Sequence, residues 1–373
     1  MFDYKKHTKR MIFFISALLS SAFTIWIFSL YFVFFEKPLF IPADYKADGQ
    51  IKVKEFNIQQ RVEGVKSIII ISGSNALFSM YSPVLEEKTG YKVYNLSVSS
   101  MLPLCLYIYF AEKYAQNGDI IISPLEYPFY TEKDKLTPSA YACFSTWAMQ
   151  YTSVLPLKWQ KELSRRNILT YWQRLPNFFK QIPITKAEVI VPRAMNSSLL
   201  ATEDSQINRY GEILEDKKPT KSNFDSYYFE KKPASEHFKE EITAFRDKLA
   251  AKGVSLYVTF PVSEKQSRFN TDMSETQEKL QYYRKQIEQC GINFFGTDSF
   301  YNFENKYFFN SVYHLNATGA ILRSLLLAED INTYVLGKES SYDLSSPESR
   351  KSFFKQQEQE ALRIIKKLRE EQK

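Results

Sequence analysis

The sequence predicts an α/β protein: a parallel sheet covered by helices on both faces, preceded by one membrane-crossing helix. Three observations carry this. Residues Met11 to Phe35 contain no charged side chain. From Ser67, and again from Ser235, short apolar runs alternate with stretches of helical spacing. Glycines fall between them, at Gly73, Gly90, Gly118, Gly253 and Gly291. Alternation of this kind, with strands apolar throughout, is the pattern of a parallel sheet buried on both faces.

The uncharged run would make roughly 38 Å of helix at 1.5 Å per residue, against a hydrocarbon core of about 30 Å. Lys5, Lys6, Lys9 and Arg10 precede it, and Glu36-Lys37-Pro38 follows. Basic residues on the N-terminal side predict a cytoplasmic N-terminus (1–10), a span over 11–35 and a main domain outside the cytoplasm. The run is longer than the apolar region of a signal peptide, and no A-x-A site follows it. Residues 36–66 read as a polar connector.

In the main domain, 67–335, strands are expected at Ser67–Ser72, Tyr91–Leu96 and Asp119–Ser123, with helices at Ala76–Thr89 and Leu104–Gln116. After a break the pattern resumes with helix Ser235–Ala251, strand Val254–Phe260, helix Ser274–Gln289, strand Ile292–Phe295 and a last helix over Ala317–Ala328. The intervening 130–233 is an insertion rich in aromatics and prolines, with Trp147, Trp159, Trp172 and Phe178-Phe179. Its Leu157–Lys180 part mixes bulky apolar and basic residues. A cap over the site, a membrane-lying surface and a helical subdomain are all compatible with it. In the tail, 346–373, Ser346-Pro347-Glu348 has the form of an N-cap followed by proline at the first helical position. Phe354, Ala361, Ile365 and Leu368 then share one side of an amphipathic helix.

The formal charge of +7 is modest, and basic residues are interspersed with acids, so nucleic acid is not implied. Cys105, Cys143 and Cys290 form no CxxC pair and no cluster with histidine, which argues against a metal site or a disulfide framework. No cofactor is expected.

The chemistry concentrates in two short segments. Ile68-Ile69-Ile70-Ile71-Ser72-Gly73-Ser74-Asn75 reads as a buried strand ending in a tight turn that presents Ser74. That position is the carboxyl end of a strand and the N-terminus of a helix, where free N–H groups can hold an oxyanion. A strand–Gly–Ser–helix turn is by itself ordinary capping chemistry. The second segment, Tyr313-His314-Leu315-Asn316-Ala317-Thr318-Gly319, puts one of three histidines just before a helix. A serine hydroxyl needs a base within hydrogen-bond reach, and neutral imidazole is the usual one near pH 7. His7 lies in the basic flank of the apolar run and His237 at a polar helix start, so neither competes.

The order of these blocks resembles the SGNH/GDSL hydrolase superfamily. Ser72-Gly73-Ser74 stands at its G-D-S block, so the resemblance implies Ser74 as nucleophile. Asn95-Leu96-Ser97-Val98-Ser99-Ser100 matches the shape of its second block, which implies oxyanion-hole N–H groups from Ser74 and Ser100. Where the third block carries an asparagine, this chain has Ser123-Pro124-Leu125-Glu126-Tyr127. The last block pairs its histidine with an aspartate three or four residues earlier; here Asn310-Ser311-Val312-Tyr313-His314 has none. Asn310 can orient the imidazole through its carbonyl, and Asp298 is an alternative acid. Asn95 and Glu126 are possible accessory groups.

The resemblance covers about Ser67–Thr333. It implies a flavodoxin-like, three-layer α/β/α SGNH domain. One branch of the superfamily adds a single N-terminal anchor and acts in teichoic acid D-alanylation and alginate or peptidoglycan acetylation, beside a multi-pass membrane-bound O-acyltransferase. The expectation is an extracytoplasmic, serine-dependent O-acyltransferase or O-acylesterase on a cell-envelope glycan. The alternative is a catalytically degenerate SGNH-fold protein that binds glycan or scaffolds the acyltransferase.

Overall fold

The computed structural model describes residues 4–31, 45–145, 147–178, 208–215, 231–266, 269–340 and 342–371. Two compact units emerge, one of Met1–Tyr45 and Leu136–Ile184, the other of Lys46–Lys135 and Thr185–Lys373.

The first unit contains helix α1, Tyr4–Tyr31. Its stretch His7–Phe28 is long and apolar enough to cross a membrane, and its side chains are exposed rather than packed in a core. Residues 32–35 of the expected span lie outside the described residues. The unit also holds the helices Pro138–Phe144 and Leu157–Phe178, with Phe144, Trp147, Trp159 and Leu163 buried. Of the insertion's aromatic residues, Phe144, Trp147, Tyr151 and Trp159 are thus core residues, while the side chains of Trp172, Phe178 and Phe179 lie outside the described residues. Residues 179–207 and 216–230 of the insertion lie outside the description.

The second unit is a three-layer α/β/α fold. Its central sheet has five parallel strands: β1 Ser67–Ile70, β2 Lys92–Asn95, β3 Ile120–Ser123, β4 Ser255–Thr259 and β5 Asn293–Phe295. Their spatial order is β2-β1-β3-β4-β5, the flavodoxin-like arrangement, whose switch point lies between β1 and β3. Ile68 pairs with Ile120 and Val93, Ile69 with Ile121, and Ile70 with Ile122. All of these isoleucines are at most 9% exposed, and burying each contributes about 2 kcal/mol. Helices Leu104–Tyr114, Glu236–Ala251, Ser274–Gln289 and Ala317–Asp330 supply the flanking layers.

Three expectations are corrected. The connector is not a polar link throughout: Tyr45–Gln59 is helix α2, and Ile51, Val53, Lys54 and Ile58 on it are buried. Its apolar residues are interleaved with lysines, so no clean stripe shows in the sequence. The single helix expected over Ala76–Thr89 is two, α3 Ser74–Ser79 and α4 Ser82–Thr89. The chain breaks at Met80-Tyr81 because the Tyr81 N–H donates to Ser324 Oγ at 2.7 Å, and Pro83 starts a new first turn. In the tail, helix Pro347–Glu371 buries Phe353, not Phe354, together with Ala361, Ile365 and Leu368. Phe353 packs on Phe300 and Tyr342, and Glu358 accepts from Lys306 at 2.9 Å, so the tail docks on its own unit. Ser346 Oγ caps it through the Ser349 N–H at 3.0 Å.

Candidate active site

Ser74 is the first residue of α3, directly beyond β1. The turn that delivers it is very crowded. A Cβ on Gly73 would lie 2.5 Å from Glu126 Oε1 and 2.8 Å from both Cα and N of Ser100, so only glycine fits. That crowding brings the second block against the first: the Ser100 backbone lies directly beside the turn that carries Ser74. Among the described residues, neither the Ser74 N–H nor the Ser100 N–H has an acceptor. Two backbone donors are therefore without acceptors at this turn, one on the first residue of α3 and one on the neighbouring Ser100, the group type that stabilises an oxyanion.

His314 comes from a small antiparallel hairpin of Phe308–Ser311 and His314–Leu315. The hairpin sets Asn310 across from it, and Asn310 Oδ1 lies 2.8 Å from His314 Nδ1. With Nδ1 carrying the proton, Nε2 is left with a free lone pair. The ring packs against Phe78, centroids 4.3 Å apart, and against Phe309 at 5.7 Å. Phe78 is one helical turn beyond Ser74, so residue and ring contact lie on the same side of α3. The fold thus sets Ser100 beside the turn that carries Ser74, and His314 with Asn310 against Phe78 of the same helix, beyond the carboxyl end of β1. Burial among the aromatic rings lowers the His314 pKa to about 4, so the imidazole is neutral at pH 7.

The accessory candidates divide. Asp298 accepts from the Ser299 N–H at 2.6 Å, and the imidazole bonds Asn310 instead. Asn95 donates to the Ala76 carbonyl at 2.9 Å and to Glu212 at 3.2 Å, so it braces α3 from below. Glu126 is 1% exposed and accepts from the Gly73 N–H (3.0 Å), the Asn75 N–H (2.9 Å) and Ser72 Oγ (2.8 Å). It caps the helix that bears Ser74. Burial raises its pKa above the ordinary carboxylate value, against the pull of the Asn75 and Ser72 donors.

Sequence reasoning missed Asn75 and Arg323. Arg323, fully buried on the helix that follows His314, donates to Asn75 Oδ1 at 2.8 Å and Ser79 Oγ at 2.7 Å. Asn75 Nδ2 donates to the Pro124 carbonyl at 3.1 Å. One side chain thus joins the ends of β1 and β3 to the histidine's helix. A charged residue within the apolar run Ala320–Leu327 is the signal that could have found Arg323.

No protein-family model matches the chain, and no curated protein matches it. Among solved structures, the crystal structure of protein YxiM from Bacillus subtilis is similar at 9% identity and a TM-score of 0.30. The match covers 74% of this chain and 58% of YxiM, so this chain spans less than two thirds of that protein.

Proposed function

We propose that this is a membrane-anchored, SGNH-type O-acyltransferase or O-acylesterase acting on a cell-envelope glycan. What supports this reading is that Ser74 starts the helix whose Phe78 packs on the neutral, Asn310-oriented His314, with the Ser74 and Ser100 N–H groups without acceptors among the described residues beside the same turn.

In this reading the Ser74 hydroxyl attacks the acyl carbonyl and its proton passes to His314 Nε2. The Ser74 and Ser100 N–H groups hold the tetrahedral oxyanion. Collapse breaks the bond to the donor oxygen, which takes the proton from the imidazolium and leaves an acyl-serine. A sugar hydroxyl or water then attacks that ester, gives its proton to His314 and releases Ser74, which recovers a proton from the imidazolium. Helix α1 would hold the site at the membrane with the main domain outside the cytoplasm, beside a multi-pass acyltransferase that supplies acyl groups.

A second reading is favoured by Glu126 and Asn310. A carboxylate engaged as a helix cap stands where the superfamily offers an asparagine, and an amide stands behind the histidine where it offers an acid. That would suit a non-catalytic glycan-binding or scaffold protein. A fluorophosphonate probe separates the two. Covalent labelling of the folded full-length protein at Ser74, abolished in Ser74→Ala and His314→Ala, is the expected result. A folded wild type that never labels rejects the acyl-serine mechanism and leaves the scaffold.

A further inference from the structure

Away from the serine, a cleft of about 260 Å³ opens along the outer edge of β2. Lys54 and Asn57 of α2, Glu86 of α4, Lys92 of β2, and Arg209 and Tyr210 of the 208–212 turn surround it. The turn is firmly built: Asn208 Oδ1 accepts from the N–H groups of Tyr210 (3.0 Å) and Glu212 (2.9 Å), and Asn57 Nδ2 donates to the Arg209 carbonyl. Gly211, at φ +73°, lets the Lys54 stem pass where a Cβ would sit 2.7 Å away.

The strand edge in this cleft is half closed. In a strand, successive residues turn their backbone groups to opposite edges. The Leu96 N–H donates to Ile70 on β1 at 2.8 Å, so Val93 and Asn95 face outward. Glu86 Oε1 accepts from the Val93 N–H at 3.1 Å, and Lys54 Nζ donates to the Asn95 carbonyl at 2.7 Å. The Val93 carbonyl and the Asn95 N–H remain between them, without partners among the described residues, although both residues are 2% exposed. Buried backbone groups are rarely left unpaired, so an acceptor–donor pair in a cleft calls for a hydroxylated ligand or water. The two bonds already made exclude a full peptide strand.

Charge narrows the choice. Lys54, Lys92 and Arg209 face Glu86, with Glu212 behind. Glu212 accepts from Ser82, Asn95 and Asn208, and Glu86 from Val93, Lys92 and Tyr210. Among the described residues, the Arg209 side chain donates to the Tyr210 hydroxyl at 3.1 Å and has no carboxylate partner. Lys54 is 2% exposed and, among the described residues, has a single acceptor, the Asn95 carbonyl at 2.7 Å, where an ammonium offers three donors.

We propose that this cleft binds one anionic sugar unit, its acidic group held by Lys54, Lys92 and Arg209 and its hydroxyls by the Val93 carbonyl and Asn95 N–H. The site goes beyond the acyl chemistry and does not depend on it, because no group in it is a member of the serine–histidine pair. Burial lowers the Lys54 pKa to about 7, against the pull of Glu212, and a bound anion would raise it.

The test is calorimetric titration of the full-length protein in detergent with trigalacturonate, glucose 6-phosphate and maltotriose, in wild type, Ser74→Ala, Lys54→Met and the double variant Lys92→Ala/Arg209→Ala. Saturable binding of at least one anionic probe is expected, unchanged in Ser74→Ala and weakened at least about tenfold in the other two variants. The tighter of the two anions names carboxylate or phosphate as the group recognised. Lys92 and Arg209 are exposed, so the double variant keeps its fold and carries the test even if Lys54→Met does not. Absence of binding by both anions, maltotriose binding as tightly as either, or anion binding indifferent to the double variant would each overturn the proposal. Loss of labelling at Ser74 with anion binding intact would fail the acyl reading alone.

Discussion

Helices α3 and α4 follow one another in the chain, and neither has a capping side chain of its own. Each takes a buried glutamate from far along the sequence. Glu126 accepts the Gly73 and Asn75 N–H groups at the start of α3; Glu212 accepts the Ser82 N–H (3.1 Å) and Ser82 Oγ (2.6 Å) at the start of α4. Both carboxyls are raised by burial. The buried cations near them differ. Arg323 approaches the first through Asn75, and Lys54 lies beside the second. The consequences differ too. Glu126 engages the N–H groups on either side of Ser74 and leaves the Ser74 N–H itself open. Glu212 takes the Ser82 N–H while the Val84 and Leu85 N–H groups go to the Tyr81 carbonyl, so the first turn of α4 is left with no open donor among these residues. The same capping device therefore sits under the Ser74 turn in one place and beside the outer edge of β2 in the other.

The sharpest way to break this comparison is to remove each carboxylate. Glu126→Ala leaves the buried Gly73 and Asn75 N–H groups without an acceptor, while Ser72 Oγ keeps the Pro124 carbonyl at 2.7 Å, and should cost about 3 kcal/mol of stability, with loss of fluorophosphonate labelling at Ser74. Glu212→Ala should cost a similar amount, read by denaturant unfolding, yet leave the labelling rate per folded molecule within about twofold of wild type. Equal loss of labelling per folded molecule in both would remove the distinction drawn between the two caps.

A smaller effect is expected at Gly73. Gly73→Ala sets a methyl against the Ser100 backbone, and a shift there should cost about 1–3 kcal/mol. Labelling should fall at least about tenfold, because the two oxyanion donors separate. Retained labelling at reduced stability would remove Ser100 from the proposed hole.

The smallest change concerns the base. With the His314 pKa lowered to about 4, its neutral form dominates above pH 5, so the wild-type labelling rate should be flat from there to pH 8 and fall only as pH drops through about 4. Asn310→Asp adds a carboxylate to Nδ1, which stabilises the imidazolium. The descending limb should then move to higher pH by one unit or more, and the plateau should rise roughly tenfold. An unchanged profile would show that His314 is not the base.

Much of this was readable in advance. The isoleucine run ending in Ser72-Gly73-Ser74, the late Asn310 to His314 segment, and most helix and strand limits follow from local pattern. Ser274–Gln289 was placed to the residue, and Ser235 and Ser346 stand at their helix starts. The split of α3 from α4 was not legible, because its cause is the Ser324 hydroxyl, 243 residues away. The role of Glu126 was hidden for the same reason: its partners lie more than 50 residues upstream, and only the parallel pairing of β1 with β3 brings them together.

The sequence by itself determined the apolar N-terminal helix, the alternation of strands and helices, and the residue types at the reactive turn. These depend on periodicity and on the conformational limits of glycine and proline, which act over a few residues. Only the tertiary structure decided which buried charges meet, what caps each short helix, and which backbone groups on the edge strand stay open. Those outcomes depend on desolvation and hydrogen-bond pairing between segments that share no local pattern.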